Sequence, residues 1–271
     1  MPEGAPAEVD AATLALVLER GELDIEGRLV DASNLACVAI ARLDGVEVRC
    51  VYKPQAGERP LWDFPHETLS RREVAAYRVS DAAGWNLVPT TVWRSDGPAG
   101  PGMCQRWIEV DDAATLIDVV PRGVCPPGWR HVIDAEGARG RPVSLVHADT
   151  VELRAMAVFD AVVNNADRKG GHVLIDEDGA VFGIDHGVTF SEDDKLRTVL
   201  WGWAGEPLDA ELTESLRHLE EALAQPSALG LDRLLHREEV LLTRTRVSEL
   251  IAAGTFPHPG EGWPSLPWPA F

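Results

Sequence analysis

The chain is short of cysteine, of positive charge and of long apolar runs, and each shortage removes a class of function. Its four cysteines, Cys37, Cys50, Cys104 and Cys125, include no CxxC pair. Structural zinc takes closely spaced ligand pairs, so buried free thiols in a reducing compartment are expected instead. Against 44 acidic residues stand only 25 basic ones, a formal charge of −19. Such a surface repels phosphate backbones and anionic lipid headgroups at long range, which argues against nucleic-acid partners. No run approaches the roughly 18–20 apolar residues needed to span a bilayer. Residues 1–10 have neither the basic flank nor the apolar core of a secretory signal. A cytoplasmic protein with no transmembrane segment is the expectation.

What remains is a globular composition, 45% hydrophobic and 25% charged with a mean hydropathy of −0.10. A length of 271 residues allows one large domain or a two-lobed one with a well-buried core. Residues 8–20 read as a short helix stopped at Gly21. The period then changes: ELDIEGRLV (22–30), NLACVAIARL (34–43) and GVEVRCVYK (45–53) read as strands. Asp44-Gly45 between the last two is a hairpin signal, because both central residues of a type I′ turn take positive φ. A proline-rich connection leads to a helix over 66–84, and LVPTTVW (87–93) and MCQRWIE (103–109) add two strands. The first 110 residues therefore predict a five-stranded antiparallel sheet with one intervening helix.

The second half reads differently. The pattern predicts a short helix over 111–120 and a long Gly/Pro/Arg loop over 121–145, the one locally basic stretch, with Arg122, Arg130, Arg139 and Arg141. A long apolar-faced helix over 147–168 then runs into a loop. A small hairpin (172–176 and 180–185) and two helical stretches, about 208–224 and 227–253, follow. The proline-rich tail cannot be helical.

Phosphoryl transfer needs a lysine for the phosphates, carboxylates for metal ions and a group that orients the acceptor hydroxyl. Lys53 ends the third strand, where it points to solvent or into a cleft. Glu73 on the following helix can pair with it, with Glu67 as a competitor. Asp167 sits in a polar loop between a buried helix and a buried strand, a common setting for a catalytic carboxylate. Asp185, followed by Gly187, ends the hairpin and offers hard oxygen to a divalent cation. Each signal alone also fits a solvated or turn residue; together they form an ordered set.

At these residues, VYKP (51–54), REVAAY (72–77), VVNNADRKGGHVL (162–174) and GIDHG (183–187), the chain resembles the phosphatidylinositol 3-/4-kinase superfamily. The nearest branch is the type II phosphatidylinositol 4-kinase-like one with small actinobacterial members, and HipA-type kinases have a similar Asp-Arg loop. The resemblance covers about residues 23–205. It implies an α+β, bilobal protein-kinase-like fold, with an antiparallel β-rich N-lobe over 1–108 and a mainly helical C-lobe over 109–271. It implies that ATP is bound with Mg²⁺ or Mn²⁺. Lys53 would contact the phosphates and Glu73 would hold it, while Gln105 to Trp107 would form the hinge that meets the adenine. Asp167 and Arg168 would form the catalytic loop and Asp185 would bind metal. The turn 31–34 would stand in for a glycine-rich loop, with Ser33 and Asn34 as donors.

One departure bears on the metal. The family places an asparagine five residues after the catalytic aspartate, and here that position is His172. Imidazole suits manganese or zinc better than magnesium, so the expectation includes a catalytically impaired nucleotide binder as the alternative. The segment after Asp185 opens with Glu192, Asp193 and Asp194 and returns only Lys195 and Arg197. That is a poor inositide site, so a protein hydroxyl or a small metabolite is the expected acceptor.

Overall fold

The computed structural model describes residues 9–29, 34–111 and 113–271. The chain divides into two compact units. The first comprises Met1–Val74 and Pro89–Trp107, the second Ala75–Val88 and Ile108–Phe271. No helix among the described residues is long and apolar enough to cross a membrane.

In the first unit, α1 (Ala11–Arg20) starts where the Asp10 carboxylate accepts from the Ala12 and Thr13 N–H groups at 3.0 Å, a capping arrangement that satisfies two otherwise orphaned donors. Strands β1 (Glu22–Arg28), β2 (Cys37–Leu43) and β3 (Val46–Pro54) follow. Asp44 and Gly45 both take positive φ, 49° and 83°, as the hairpin signal requires. Helix α2 (Leu69–Ala82) begins in this unit, where Glu58 accepts from the Leu69 and Ser70 N–H groups at 3.0 and 2.7 Å. Strands β4 (Thr91–Arg94) and β5 (Gly102–Arg106) complete an all-antiparallel sheet of order β1-β2-β3-β5-β4. Val17 and Leu18 of α1 pack with Ala39, Ala41, Cys50 and Cys104 on one face of this sheet. Arg94, itself buried, donates to the Leu18 and Gly21 carbonyls at 2.8 Å and so closes the C-terminal end of α1.

The second unit corrects two expectations. No helix forms among the described residues of 111–120, and 121–145 are not a loop. Strands β6 (Ile117–Pro121), β7 (Trp129–Glu136) and β8 (Pro142–Ala148) form an antiparallel sheet of order β6-β8-β7. The run Ile117–Val120, β-branched at three of its four positions, pairs with Ser144–His147 of β8, and the Gly and Pro residues fall in the turns or at strand ends. Two of the four arginines of this stretch make ion pairs: Arg122 with Asp134 at 2.7 Å, and Arg130 with Asp149 at 2.7 Å and with Glu206.

Beyond the sheet, α3 (Val151–Val163) is buried along most of its length and ends at Asn164, whose left-handed φ of 50° turns the chain. A hairpin of β9 (Val173–Ile175) and β10 (Val181–Gly183) follows, then α4 (Ala210–Leu223) and α5 (Arg237–Ala253). The buried Leu212, Leu216, Leu219 and Leu223 make one stripe of α4, at the i, i+4, i+7, i+11 spacing of a helix that packs on one side. The fold is thus mixed α+β with antiparallel sheets in both units.

Candidate active site

The expected site residues fall into one group in each unit. In the first, Lys53 lies on β3 on the face opposite the buried Cys50 and Tyr52, as strand alternation dictates. Its ammonium meets the Glu73 carboxylate of α2 at 2.5 Å, with Lys53 19% and Glu73 3% exposed. Glu67, the competing partner, instead lies ahead of α2 with φ at 61° and receives the Gln55 amide on its carbonyl at 2.9 Å. The lysine is therefore held by a buried carboxylate while its side chain keeps some access to solvent.

The remaining first-unit candidates are committed locally. Gln105 is buried and donates its amide to Thr91 Oγ1 at 2.8 Å. The N–H groups of Arg106 and Trp107 donate to the Thr90 and Arg49 carbonyls, both at 2.9 Å. An adenine would have to take a donor other than these two. Asn34 Oδ1 accepts from the Arg59 N–H at 2.8 Å. Ser33 lies outside the described residues.

In the second unit, the turn after α3 carries Asp167 and Arg168. The Asn165 side chain accepts from the Asp167 N–H at 3.0 Å and fixes the loop locally. The Asp167 carboxylate pairs with Lys169 at 3.1 Å. Burial raises its pKa above the ordinary aspartate range, and the Lys169 hydrogen bond opposes the rise. A carboxylate so placed is a stronger base than one in water.

Arg168 turns inward. Its guanidinium grips Asp160 through both Nε and Nη2 at 3.0–3.1 Å, with both side chains fully buried. It also donates to the His172 and Ile184 carbonyls at 3.2 Å and meets His186 Nε2 at 2.6 Å. Asn165 and Thr198 complete the shell of Asp160 at 2.9 and 3.0 Å. Arg168 thereby ties the carbonyls of His172 and of the residue before Asp185 to one point. A Cβ at Gly183 would lie 3.0 Å from the Arg168 guanidinium, which would have to give by a few tenths of an ångström.

What this fastening presents is a pair of donors. His172 Nε2 lies 3.6 Å from Asp185 Oδ2, with the aspartate side chain 50% exposed. Burial pushes the His172 pKa down to about 4, so at neutral pH the imidazole is uncharged and its lone pair can coordinate. Asp185 sits at φ 62°, an unfavourable conformation for a non-glycine residue. Such strain collects at functional positions. Among the described residues, no three or more His, Cys, Asp and Glu side chains are placed to hold an ion by themselves. Two donors fit a cation that brings further ligands of its own, such as phosphate oxygens and water, as magnesium commonly does.

Sequence reasoning missed Asp160, whose signal was a lone carboxylate inside the apolar run AMAVFDAVV; a buried charge must have a buried partner. A cavity of about 600 Å³ also lies in the second unit, lined by Glu192, Trp201, Arg246, Phe256, His258 and Trp263 among others, with none of Asp167, His172 and Asp185 on its walls.

No protein-family model matches the chain. It is 45% identical over 264 residues to protein Rv2133c of Mycobacterium tuberculosis, an alignment that covers 94% of each chain. The chain belongs to the same family as that protein.

Proposed function

We propose that this chain is an ATP-dependent phosphotransferase on a bilobal, protein-kinase-like frame, which moves the γ-phosphate to a hydroxyl of a protein or a small metabolite. The carrying observation is the 2.5 Å Lys53–Glu73 pair. A strand lysine held by a helix carboxylate is the device that aims an ammonium at nucleotide phosphates. In this reading the first unit supplies Lys53 and the second supplies Asp167, His172 and Asp185. The first unit acts as the N-lobe and the second as the C-lobe.

Asp167 accepts the hydrogen bond of the acceptor hydroxyl. The acceptor's oxygen attacks the γ-phosphorus, the bond to the β–γ bridging oxygen breaks, ADP leaves, and the acceptor's proton ends on the Asp167 carboxylate. The raised pKa of Asp167 favours that proton transfer. Asp185 and His172 hold the cation; when bound, Mg²⁺ or Mn²⁺ supplies charge neutralisation on the phosphate oxygens. Arg168 acts through its neighbours, as the positioning residue that fixes both donor-bearing segments.

A lipid acceptor is disfavoured. Lys195 is buried and Arg197 is half-buried with its guanidinium 5.6 Å from the Trp263 ring centre, so the acidic segment displays little positive charge to a headgroup. A second reading, nucleotide binding without transfer and a response through a protein partner, is supported by the imidazole that stands where the family resemblance expects a second oxygen ligand. Incubation of the purified chain with γ-labelled ATP and Mg²⁺ or Mn²⁺ separates the two. The proposal expects label released or transferred at a rate lost in Asp167→Asn. ATP binding with no movement of label selects the sensor. Strong labelling of phosphatidylinositol vesicles overturns the acceptor assignment.

A further inference from the structure

Residues 257–271 contain five prolines, Pro257, Pro259, Pro264, Pro267 and Pro269. Such a segment builds neither helix nor interior ladder, so its carbonyls are left for other parts of the unit. The Ser265 carbonyl accepts from the Thr198 N–H at 3.2 Å and from the Trp201 indole at 2.8 Å. The Ala270 carbonyl accepts from the Gly170 N–H at 2.8 Å. The Phe271 ring lies so close over Gly170 that a Cβ there would stand 2.3 Å from a ring carbon. Trp263 receives Lys195 Nζ at 4.9 Å from its ring centre and the Arg197 guanidinium at 5.6 Å.

The segment that Ser265 and Trp263 hold is itself laid against the Asp167 loop. Arg197 N–H donates to the Asn165 carbonyl at 2.8 Å, Arg168 N–H to the Arg197 carbonyl at 3.0 Å, and Val199 N–H to the Arg168 carbonyl at 3.2 Å. The proline-rich segment thus reaches the loop twice, through residues 197–199 and directly at Gly170. Gly170 and Gly171 follow Lys169, and two adjacent glycines give that stretch wide backbone freedom. A reacting carboxylate must be held to within about 0.5 Å of its productive place, so the loop needs restraint from outside itself.

We propose that residues 263–271 form a positioning strap for the Asp167 loop, with Trp263, the Ser265 and Ala270 carbonyls and the Phe271 ring as its fastening points. Its consequence for turnover rests on the phosphotransferase reading; its mechanical part does not.

The test uses the full-length chain and its Trp263→Ala, Trp263→Phe and Phe271→Ala variants. In Trp263→Ala, the Gly170 and Thr198 amides are expected to exchange about tenfold faster with deuterium while those of the β6–β8 sheet keep their protection. ATP hydrolysis is expected to lose about tenfold in kcat with KM for ATP within about twofold, because the strap acts on the loop and not on nucleotide binding. Trp263→Phe, which keeps an aromatic face, is expected to restore both. Unchanged exchange at Gly170 and Thr198 overturns the strap, whatever the activity. Should the wild type neither bind nor hydrolyse ATP, the phosphotransferase reading fails and the exchange result alone decides the strap. If Trp263→Ala does not fold, Phe271→Ala carries the same comparison at Gly170.

Discussion

The proposed chemistry draws on two cation–carboxylate pairs, one in each unit, and they are built in opposite ways. Arg168 and Asp160 are both fully buried, and the guanidinium is wrapped by a carboxylate, two carbonyls and an imidazole. Lys53 and Glu73 meet at 2.5 Å with the carboxylate buried and the lysine 19% exposed. A buried pair costs several kcal/mol of desolvation per ion and survives on hydrogen bonds that complete both partners. That investment makes sense for an anchor that never has to let go. A lysine that keeps solvent access can exchange part of its shell for a phosphate oxygen. Burial thus separates a residue that positions from a residue that binds, although both stand in charged motifs of the same sequence.

The sharpest way to break this contrast is to remove each cation. Arg168→Ala leaves Asp160 charged and buried, and is expected to cost about 3–5 kcal/mol in urea unfolding. A loss below about 1 kcal/mol would show that the pair is not an anchor. A pH effect of comparable size is expected from two histidines of the second unit. Burial depresses His172 and His147 to about 4 each. A depressed folded-state pKa contributes stability that is fully present above the unfolded value of about 6.5 and is lost as pH falls toward 4. Each histidine contributes roughly 3 kcal/mol across that window. Unfolding at pH 7.5, 6, 5 and 4.5 should show the fall, and His147→Gln should remove about half of it; an unchanged slope would contradict the assigned burial.

Lys53→Met is the counterpart in the first unit. It leaves Glu73 with less compensation and is expected to cost about 1–2 kcal/mol, well below Arg168→Ala, while abolishing stabilisation by ATP. If the two variants cost the same, the distinction between anchor and binder fails. The smallest effect belongs to a position outside both pairs. Gly45 turns the β2–β3 hairpin at φ 83°, so Gly45→Ala is expected to cost about 1 kcal/mol and to leave ATP-dependent stabilisation untouched.

The same contrast between exposed and buried structure explains what was legible in the sequence. Strands β1 and β3 alternate polar and apolar residues, β2 is a mostly apolar run, and Asp44-Gly45 suits the tight turn between β2 and β3, so pattern and turn agreed. Strand β7 is largely exposed, with Arg130, His131, Asp134 and Glu136 along it. Without a buried face it has no alternation to read, and it resembles a polar loop. In β6 the two buried residues, Ile117 and Val120, stand three apart, a spacing that also fits a helix; only the partner strand β8 decides between them. Lys53 and Glu73 were legible as types in an order, with Glu67 a competitor that the resemblance set aside, and the structure places Lys53 against Glu73 at 2.5 Å. Asp160 and the strap depend on contacts between residues far apart in the chain, Asp160 with Thr198 and Gly170 with Ala270, and no local pattern encodes those.

The most direct test of a nucleotide site built on Lys53, Asp185 and His172 is thermal unfolding with ATP and Mg²⁺ or Mn²⁺, for wild type and Asp185→Asn. Asparagine tolerates the positive φ at this position, so the variant changes the ligand charge with little backbone cost. A metal-dependent rise in Tm, larger with Mn²⁺ and lost in Asp185→Asn, is the predicted result, since a ligand stabilises the state that binds it. No shift with either metal, or equal shifts in wild type and variant, would contradict it.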